Sequence, residues 1–202
     1  MSIQETLKGA DSLDIVRFSH RRCPAESCFV LLIDAQARLV PAISQGEAVV
    51  SAMDRLVRAA GILGVPAYAT EHCADAIGPT VPLLADRIGR ERMLAKRHFD
   101  ATRAPGLTDR LAELERPVAV VAGVEAHVCV AQTALGLGSL GWRVAVVEDA
   151  CGSRRQDDRE VGLARLRAAG AVPVTVEALI FEWLGSADHP AFREALGIVK
   201  EG

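Results

Sequence analysis

The sequence predicts an α/β fold, a three-layer doubly wound sandwich with a six-stranded, mainly parallel sheet. Short apolar runs alternate with longer stretches of helical periodicity, as in repeated β-α-β units. Several runs are continuously apolar and rich in Val, Ile and Leu, which is typical of strands buried on both faces. The chain has 202 residues, half of them apolar, and no linker or repeat divides it. We expect an N-terminal arm over residues 1–27 and a single domain over residues 28–202.

The first strand is expected at Cys28–Ile33, where the sequence reads CFVLLI. A helix should follow and end near Gly64, with Ser44 as its N-cap and Glu47 three residues later completing a capping box. The other strands are expected at residues 65–70, 92–96, 118–122, 143–147 and 172–176. Further helices are expected at residues 108–115 and 128–140, from about 157 to 170, and in two short pieces at 177–184 and 190–200, with another short helical piece following a turn-rich loop at residues 71–82.

Composition narrows the classes of partner. The net charge is −3 and basic residues are interleaved with acidic ones, so no nucleic-acid partner is expected. No apolar run approaches the roughly 20 residues of a membrane helix, and the first residues lack the pattern of a signal or transit peptide. The five cysteines have unrelated spacings and form no C-x-x-C pair, so Cys28 and Cys151 are interpreted as core residues. We expect a soluble, cytoplasmic protein that acts on a small molecule.

The segment PVAVVAGVEAHVCVAQTALGLGSLG, residues 117–141, contains the strongest candidate for chemistry. Its apolar run ends at Gly123, and a segment with helical composition begins at Cys129. A thiol at such a strand-to-helix turn lies near a helix N-terminus, where unpaired N–H groups and the helix dipole favour the thiolate. We therefore interpret Cys129 as a nucleophile.

Two charged side chains are expected to meet this thiol. Asp34 ends the first strand and Lys96 ends the third, while Cys129 follows the fourth. Ligands of open α/β sheets bind beyond the carboxyl ends of the strands, where the strand order switches. If these strands are neighbours at the centre of the sheet, Asp34 can take the thiol proton and Lys96 can hold the carboxylate. Backbone N–H groups of the turn would form an oxyanion hole.

Other motifs carry weaker signals. Residues 136–141 match G-x-G-x-x-G, but this segment closes a helix and precedes a strand, whereas the dinucleotide motif does the reverse. His72 and Cys73 are adjacent and Asp75 is near, yet without a second spaced pair they do not indicate a zinc site. His127 could line the pocket and is not assigned as the base. No metal and no cofactor are therefore expected.

These residues together resemble the isochorismatase-like cysteine hydrolase family. The matching segments are LLIDAQ, AKRHFDA, AGVEAHVCV and VVEDACGSR. The resemblance implies the isochorismatase-like hydrolase fold, a homo-oligomer, and a catalytic triad of Asp34, Lys96 and Cys129. It also implies a cis peptide at Val124–Glu125, which would direct the N–H groups of Glu125 and Cys129 at the oxyanion.

Within this family the segments TEHCADAIGPTVPLL and EDACGSR resemble the branch of isochorismatase-domain-containing proteins. The D-x-H pattern of the metal-dependent nicotinamidases is replaced by Thr70-Glu71-His72. The thiol favours cleavage of a C–N bond in a small amide, with Gln36, Glu71 and Phe99 as candidate substrate-binding residues. Two alternatives stay open: a vinyl ether hydrolase that uses Asp34, and a thiol redox or scaffold protein without turnover. A nucleotide-binding oxidoreductase is the least favoured class.

Overall fold

The computed structural model describes residues 22–202, and their centre is a six-stranded, all-parallel sheet. The strand order is β3-β2-β1-β4-β5-β6. The chain therefore builds one half of the sheet outward from β1, returns to the centre, and builds the other half outward from β4. This confirms the doubly wound α/β class. The strands are β1 Cys28–Ile33, β2 Ala67–His72, β3 Met93–Lys96, β4 Val118–Val124, β5 Arg143–Gly152 and β6 Val172–Val174.

Helices cover both faces of the sheet. They are α1 Gly46–Ile62, α2 Ala74–Ile77, α3 Pro82–Ile88, α4 Leu107–Ala112, α5 Ala131–Ser139, α6 Gln156–Ala168, α7 Val176–Leu184 and α8 Phe192–Val199. Buried side chains of α1, α3, α7 and α8 belong to one apolar core, and those of α4, α5 and α6 belong to the other. The result is the three-layer sandwich that the sequence predicts.

The first strand shows why the sheet occupies the middle layer. All six residues of β1 are buried. Val30 and Leu32 belong to the core beneath α1, whereas Phe29 and Leu31 belong to the opposite core. Alternate side chains of a strand point to opposite faces, so a strand covered on both sides must be apolar throughout. Among residues 22–202, no helix is both long and apolar enough to cross a membrane.

Several boundaries differ from the predicted ones. The capping box is wrong: α1 has Gln45 at its N-cap, with φ +54° and no side-chain capping bond. The backbone N–H of Ser44 instead donates to the carbonyl of Ser153 at 3.0 Å, so Ser44 is held by the loop after β5. Strands β4 and β5 are longer than predicted, because a register shift near Gly123 lets Val124 pair with Gly152. Residues 1–21 of the predicted arm lie outside the described residues, and residues 25–27 form a 3₁₀ turn.

Candidate active site

The centre of the sheet brings the first predicted site residue into position. Strands β1 and β4 pair along their length, up to Ile33 opposite Gly123. A Cβ on Gly123 would stand 2.3 Å from the carbonyl oxygen of Ile33, so only glycine permits this close approach. Asp34 follows directly, with φ +54°, a conformation that Asp tolerates better than most residues. The carboxylate thus sits at the point where the strand order switches.

Asp34 and Lys96 form a fully buried ion pair. The Lys96 Nζ lies 2.6 Å from the Asp34 Oδ2, and both side chains have no exposed surface. Lys96 also donates to the carbonyl of His98 at 3.2 Å. The other carboxylate oxygen, Oδ1, accepts the hydroxyl of Thr70 at 2.7 Å. Both oxygens of the carboxylate are therefore partnered, as a buried charge requires.

The route by which Lys96 reaches this site differs from the expected one. Strand β3 lies at the edge of the sheet and is separated from β1 by β2, so Lys96 does not come from a central neighbour of β1. Its long side chain extends past the end of β2 to Asp34. The intervening strand contributes Thr70, whose hydrogen bond to Asp34 the sequence does not predict. A polar residue near the end of a buried strand was the only signal that pointed to it.

Cys129 is buried, with 5% of its surface exposed. The pKa of its thiol is raised to about 12, first by burial and then by the charge of Asp34, whereas the charge of Lys96 lowers it. Hydrogen bonding to Asp34 and to Lys96 also acts on the thiol pKa, again in opposite directions. Burial and the carboxylate therefore outweigh the ammonium, and the pKa of the thiol is raised where a helix terminus alone would lower it. The thiol keeps its proton and has an acceptor in Asp34.

The turn that carries Cys129 has an unexpected conformation. Residues Ala126–Val130 form one π-helical turn, and α5 continues from it. The predicted cis peptide at Val124–Glu125 is absent, since no peptide bond among the described residues is cis. The chain instead reverses through Glu125, which has φ +57° and ψ +61°. Its carbonyl accepts the N–H of Val128 at 2.8 Å.

The three candidate substrate-binding residues occupy different environments. Gln36 is fully buried, and its amide bonds the backbone N–H and carbonyl of His72 at 2.8 and 3.0 Å. This contact joins the segment after β1 to the end of β2. Glu71 accepts the backbone N–H of Thr80 at 2.7 Å. Phe99 is 51% exposed and stacks on the ring of His72, with centroids 5.2 Å apart.

An open cleft lies beside Lys96, the last residue of β3. Its walls come from the ends of β2 and β3 and from the segments that follow them; the lining residues include Glu71, Cys73, Asp75, Lys96, His98 and Pro105.

The pKa of His72 is lowered, mainly by burial of the ring and also by the charge of Lys96. Among residues 22–202, no three or more His, Cys, Asp or Glu side chains are grouped so that they could hold a metal ion.

Comparison with known proteins identifies the family. The family model described as the isochorismatase domain matches residues 28–178. The chain belongs to the isochorismatase family. It is 37% identical over 186 residues to isochorismatase domain-containing protein 2A of Mus musculus, covering 92% of this chain and 88% of the relative. It is 38% identical over 178 residues to isochorismatase domain-containing protein 2 of Homo sapiens, covering 87% of this chain and 84% of the relative.

Solved structures of the isochorismatase-like fold superpose well on this chain. A structure described as MAR1 ribonuclease from Caenorhabditis elegans has a TM-score of 0.83 and 31% identity, covering 89% of this chain and 92% of its own. YcaC from Pseudomonas aeruginosa, described with hexane-2,5-diol and covalent acrylamide, has a TM-score of 0.82 and 25% identity, covering 88% and 91%. A pyrazinamidase/nicotinamidase from Streptococcus mutans, 23% identical with a TM-score of 0.64 over 73% of this chain and all of its own, shares the fold.

Proposed function

We propose that this isochorismatase-family protein is a cofactor-independent cysteine hydrolase that cleaves the C–N bond of a small amide. Cys129 is the nucleophile, Asp34 is the general acid and base, and Lys96 is its electrostatic partner. The observation that carries this proposal is the buried Asp34–Lys96 pair acting on a protonated, buried thiol. Membership of a hydrolase family supports the same reaction class.

Acylation begins with attack of the Cys129 sulfur on the amide carbonyl. The thiol proton passes to Asp34 as the S–C bond forms, because a thiol with its pKa raised to about 12 reacts only when a base takes the proton. The N–H groups of Glu125 and Cys129 stabilise the oxyanion. Asp34 then returns the proton to the leaving nitrogen, the C–N bond breaks, and an amine and a thioester remain.

Hydrolysis of the thioester completes the cycle. Asp34 accepts a proton from water, whose oxygen attacks the thioester carbonyl, and the S–C bond breaks. The departing sulfur takes the proton back, and a carboxylic acid is released. Throughout both halves the ammonium of Lys96, 2.6 Å from Asp34, stabilises the carboxylate whenever it carries charge.

The vinyl ether alternative is less well supported. That reaction requires a carboxylic acid that protonates the substrate, whereas both oxygens of Asp34 here accept hydrogen bonds, one from Lys96 and one from Thr70. This arrangement suits a proton acceptor at the start of a reaction. The two mechanisms also differ in their need for sulfur, because only the amide route passes through a Cys129 thioester.

Ammonia release from a panel of small primary amides tests the proposal. We expect a substrate to be found, and we expect Cys129→Ala to lower its turnover by at least about a thousandfold. Cys28→Ala is the matched control, because Cys28 is also buried but begins β1, at the end of the strand opposite to Asp34, and should retain turnover. Release that persists in Cys129→Ala would refute the nucleophile assignment. Isochorismate and RNA, assayed in parallel, would reveal vinyl ether or phosphodiester cleavage, and sulfenate formation at Cys129 without turnover would favour the redox alternative.

We also propose that the protein works as a homo-oligomer in the cytoplasm. The family resemblance is the support for assembly, and the YcaC gene product from Escherichia coli is described as an octameric hydrolase. Light scattering coupled to size-exclusion chromatography measures the mass directly against the 21.5 kDa of one chain. A species of that single-chain mass at micromolar concentration would contradict the proposal.

A further inference from the structure

A buried acidic side chain stands at the start of the turn that carries Cys129, and the mechanism above leaves it unused. Glu125 has 7% of its surface exposed. Its Oε1 accepts a hydrogen bond from the Nε of Arg154 at 2.5 Å. Its Oε2 is buried without a hydrogen bond and lies 3.5 Å from the Nδ1 of His127. A carboxylate is costly to bury unless charged partners hold it, so these contacts need an explanation.

The partners of Glu125 come from elements that flank the turn. Arg154 lies two residues beyond Gly152, the last residue of β5, and Gly152 pairs with Val124 at the end of β4. The Glu125–Arg154 contact therefore continues the β4–β5 pairing beyond the edge of the sheet. It links the residue that opens the cysteine turn to the loop that follows β5.

A second contact, made by His127, also joins this turn to the loop after β5. The Nδ1 of His127 lies 3.0 Å from the hydroxyl of Ser153, in the same loop as Arg154. Helix α6 packs against the backbone here, since a Cβ on Gly162 would stand 2.7 Å from the Cα of His127. The turn is thus held by the β5 loop on one side and by α6 on another.

Glu125 needs such support because of its own backbone. Its left-handed conformation, φ +57° and ψ +61°, is unfavourable for a residue other than glycine and persists where surrounding contacts determine it. That conformation fixes the direction of the first N–H groups of the turn and the position of the Cys129 sulfur. Rotation of this one residue would displace both.

We propose that the Glu125–Arg154 ion pair is a positioning device for the nucleophile. It holds the backbone of Glu125 in the left-handed conformation at the start of the π-helical turn. This conformation in turn places the Cys129 sulfur and the oxyanion N–H groups relative to Asp34. The side chains of the pair act through the backbone and do not touch the substrate. This inference rests on the proposed function, in which Cys129 is the nucleophile.

Paired substitutions test it with two readouts. We expect Glu125→Gln and Arg154→Gln each to lower kcat for the amide substrate by at least about tenfold with KM nearly unchanged, since small misplacements at a reacting centre cost up to about a hundredfold. The double variant should lose no more than either single variant, because both changes break one contact. Arg154→Lys, which keeps the charge, should recover part of the loss. The second readout is the rate at which acrylamide alkylates Cys129, followed by intact mass.

Arg167→Gln is the matched control, since Arg167 forms a comparable pair with Glu148 at 2.6 Å at the far end of α6. Arg154 is 60% exposed in its side chain, so Arg154→Gln should fold even if Glu125→Gln does not. Values of kcat and of the alkylation rate for Arg154→Gln within about twofold of the Arg167→Gln values would overturn the inference, as would losses that multiply in the double variant. If Cys129→Ala keeps turnover, the proposed function fails. The alkylation rates alone then decide whether the Glu125–Arg154 pair positions the Cys129 sulfur.

Discussion

Replacing Asp34 by Asn should make Cys129 more reactive toward alkylating agents and abolish hydrolysis at the same time. In the native protein the Asp34 charge raises the pKa of the Cys129 thiol, which stands at about 12, while Lys96 lowers it. Asn keeps the size of the side chain, tolerates the left-handed backbone at φ +54° and can still accept the Thr70 hydroxyl. Its NH₂ group cannot pair with the ammonium, so a Cys129 thiolate becomes the nearest available anion for Lys96.

The expected magnitude follows from the charges. At a pKa of about 12, about one thiol in ten thousand is ionised at pH 8. Two unit charges about 4 Å apart interact by about 4 kcal/mol at an effective dielectric constant near 20, which corresponds to about three pKa units. Asn carries no charge and removes this repulsion. Because a more acidic thiolate is also less nucleophilic, only about half of the gain on a logarithmic scale reaches the rate, and we expect alkylation to accelerate by about ten- to a hundredfold at pH 8.

Acrylamide alkylation followed by intact mass measures this rate over pH 7 to 10. Amide turnover by the same variant should fall at least about a thousandfold, because no group remains to move the proton. The matched control is Asp54→Asn, which removes the charge of another buried aspartate, 8% exposed and paired with Arg87, and should leave both rates unchanged. Slower alkylation in Asp34→Asn would refute the electrostatic reasoning, and retained turnover would refute the role of Asp34 as acid and base.

Three further predictions concern stability. Lys96→Met should lower the free energy of unfolding in urea by about 3–5 kcal/mol, because it leaves the Asp34 carboxylate buried without its cation; a loss under 1 kcal/mol would mean that the pair is not buried as described. Gly123→Ala should lower the melting temperature by at least about 5 °C, because its Cβ would stand 2.3 Å from the Ile33 carbonyl at a φ of +147°; an unchanged melting temperature would show that β1 and β4 can separate there. The free energy of unfolding should also fall from pH 9 to pH 12, since burial raises the pKa of the Cys129 and Cys151 thiols from 9.0 to about 12. Unfolded thiols release their protons in this range and folded thiols keep them, so rising pH favours unfolding by about 1.4 kcal/mol per pH unit for each thiol. Cys151→Ala should make that slope shallower by about the same amount, and an equal slope would contradict the prediction.

The sequence predicted the fold through signals that are local. Continuous apolar runs mark buried parallel strands, and helical periodicity marks the layers between them. The same logic placed Asp34 and Lys96 at strand ends, and the structure brings their side chains together. Strand order is a global property, however, and nothing in the segment around Lys96 indicates that β3 lies at the edge of the sheet.

The details of the cysteine turn were beyond local reasoning for a different reason. Whether a thiol near a helix terminus is ionised depends on the balance between the helix dipole and burial, and burial is a tertiary quantity. The sequence shows the helix terminus but not the degree of burial, so it could not predict that the pKa of Cys129 is raised. The link from Glu125 to Arg154 spans 29 positions; the segments AGVEAHVCV and VVEDACGSR contain these residues, but nothing in either segment indicates that the two side chains meet.

The Asp34–Lys96 pair is better explained by chemistry than by stability. Burying two opposite charges costs about as much as their attraction returns, and apolar residues of similar size often stabilise a core as well or better. Here both charges have lost all exposed surface, and Thr70 and the carbonyl of His98 satisfy the remaining bonding capacity. A carboxylate kept in this state beside a protonated thiol is a base that can accept one proton without rearrangement. Thiol-dependent hydrolysis requires such a base. The core of the protein has therefore given up apolar packing at the switch in strand order, where the proposed active site lies.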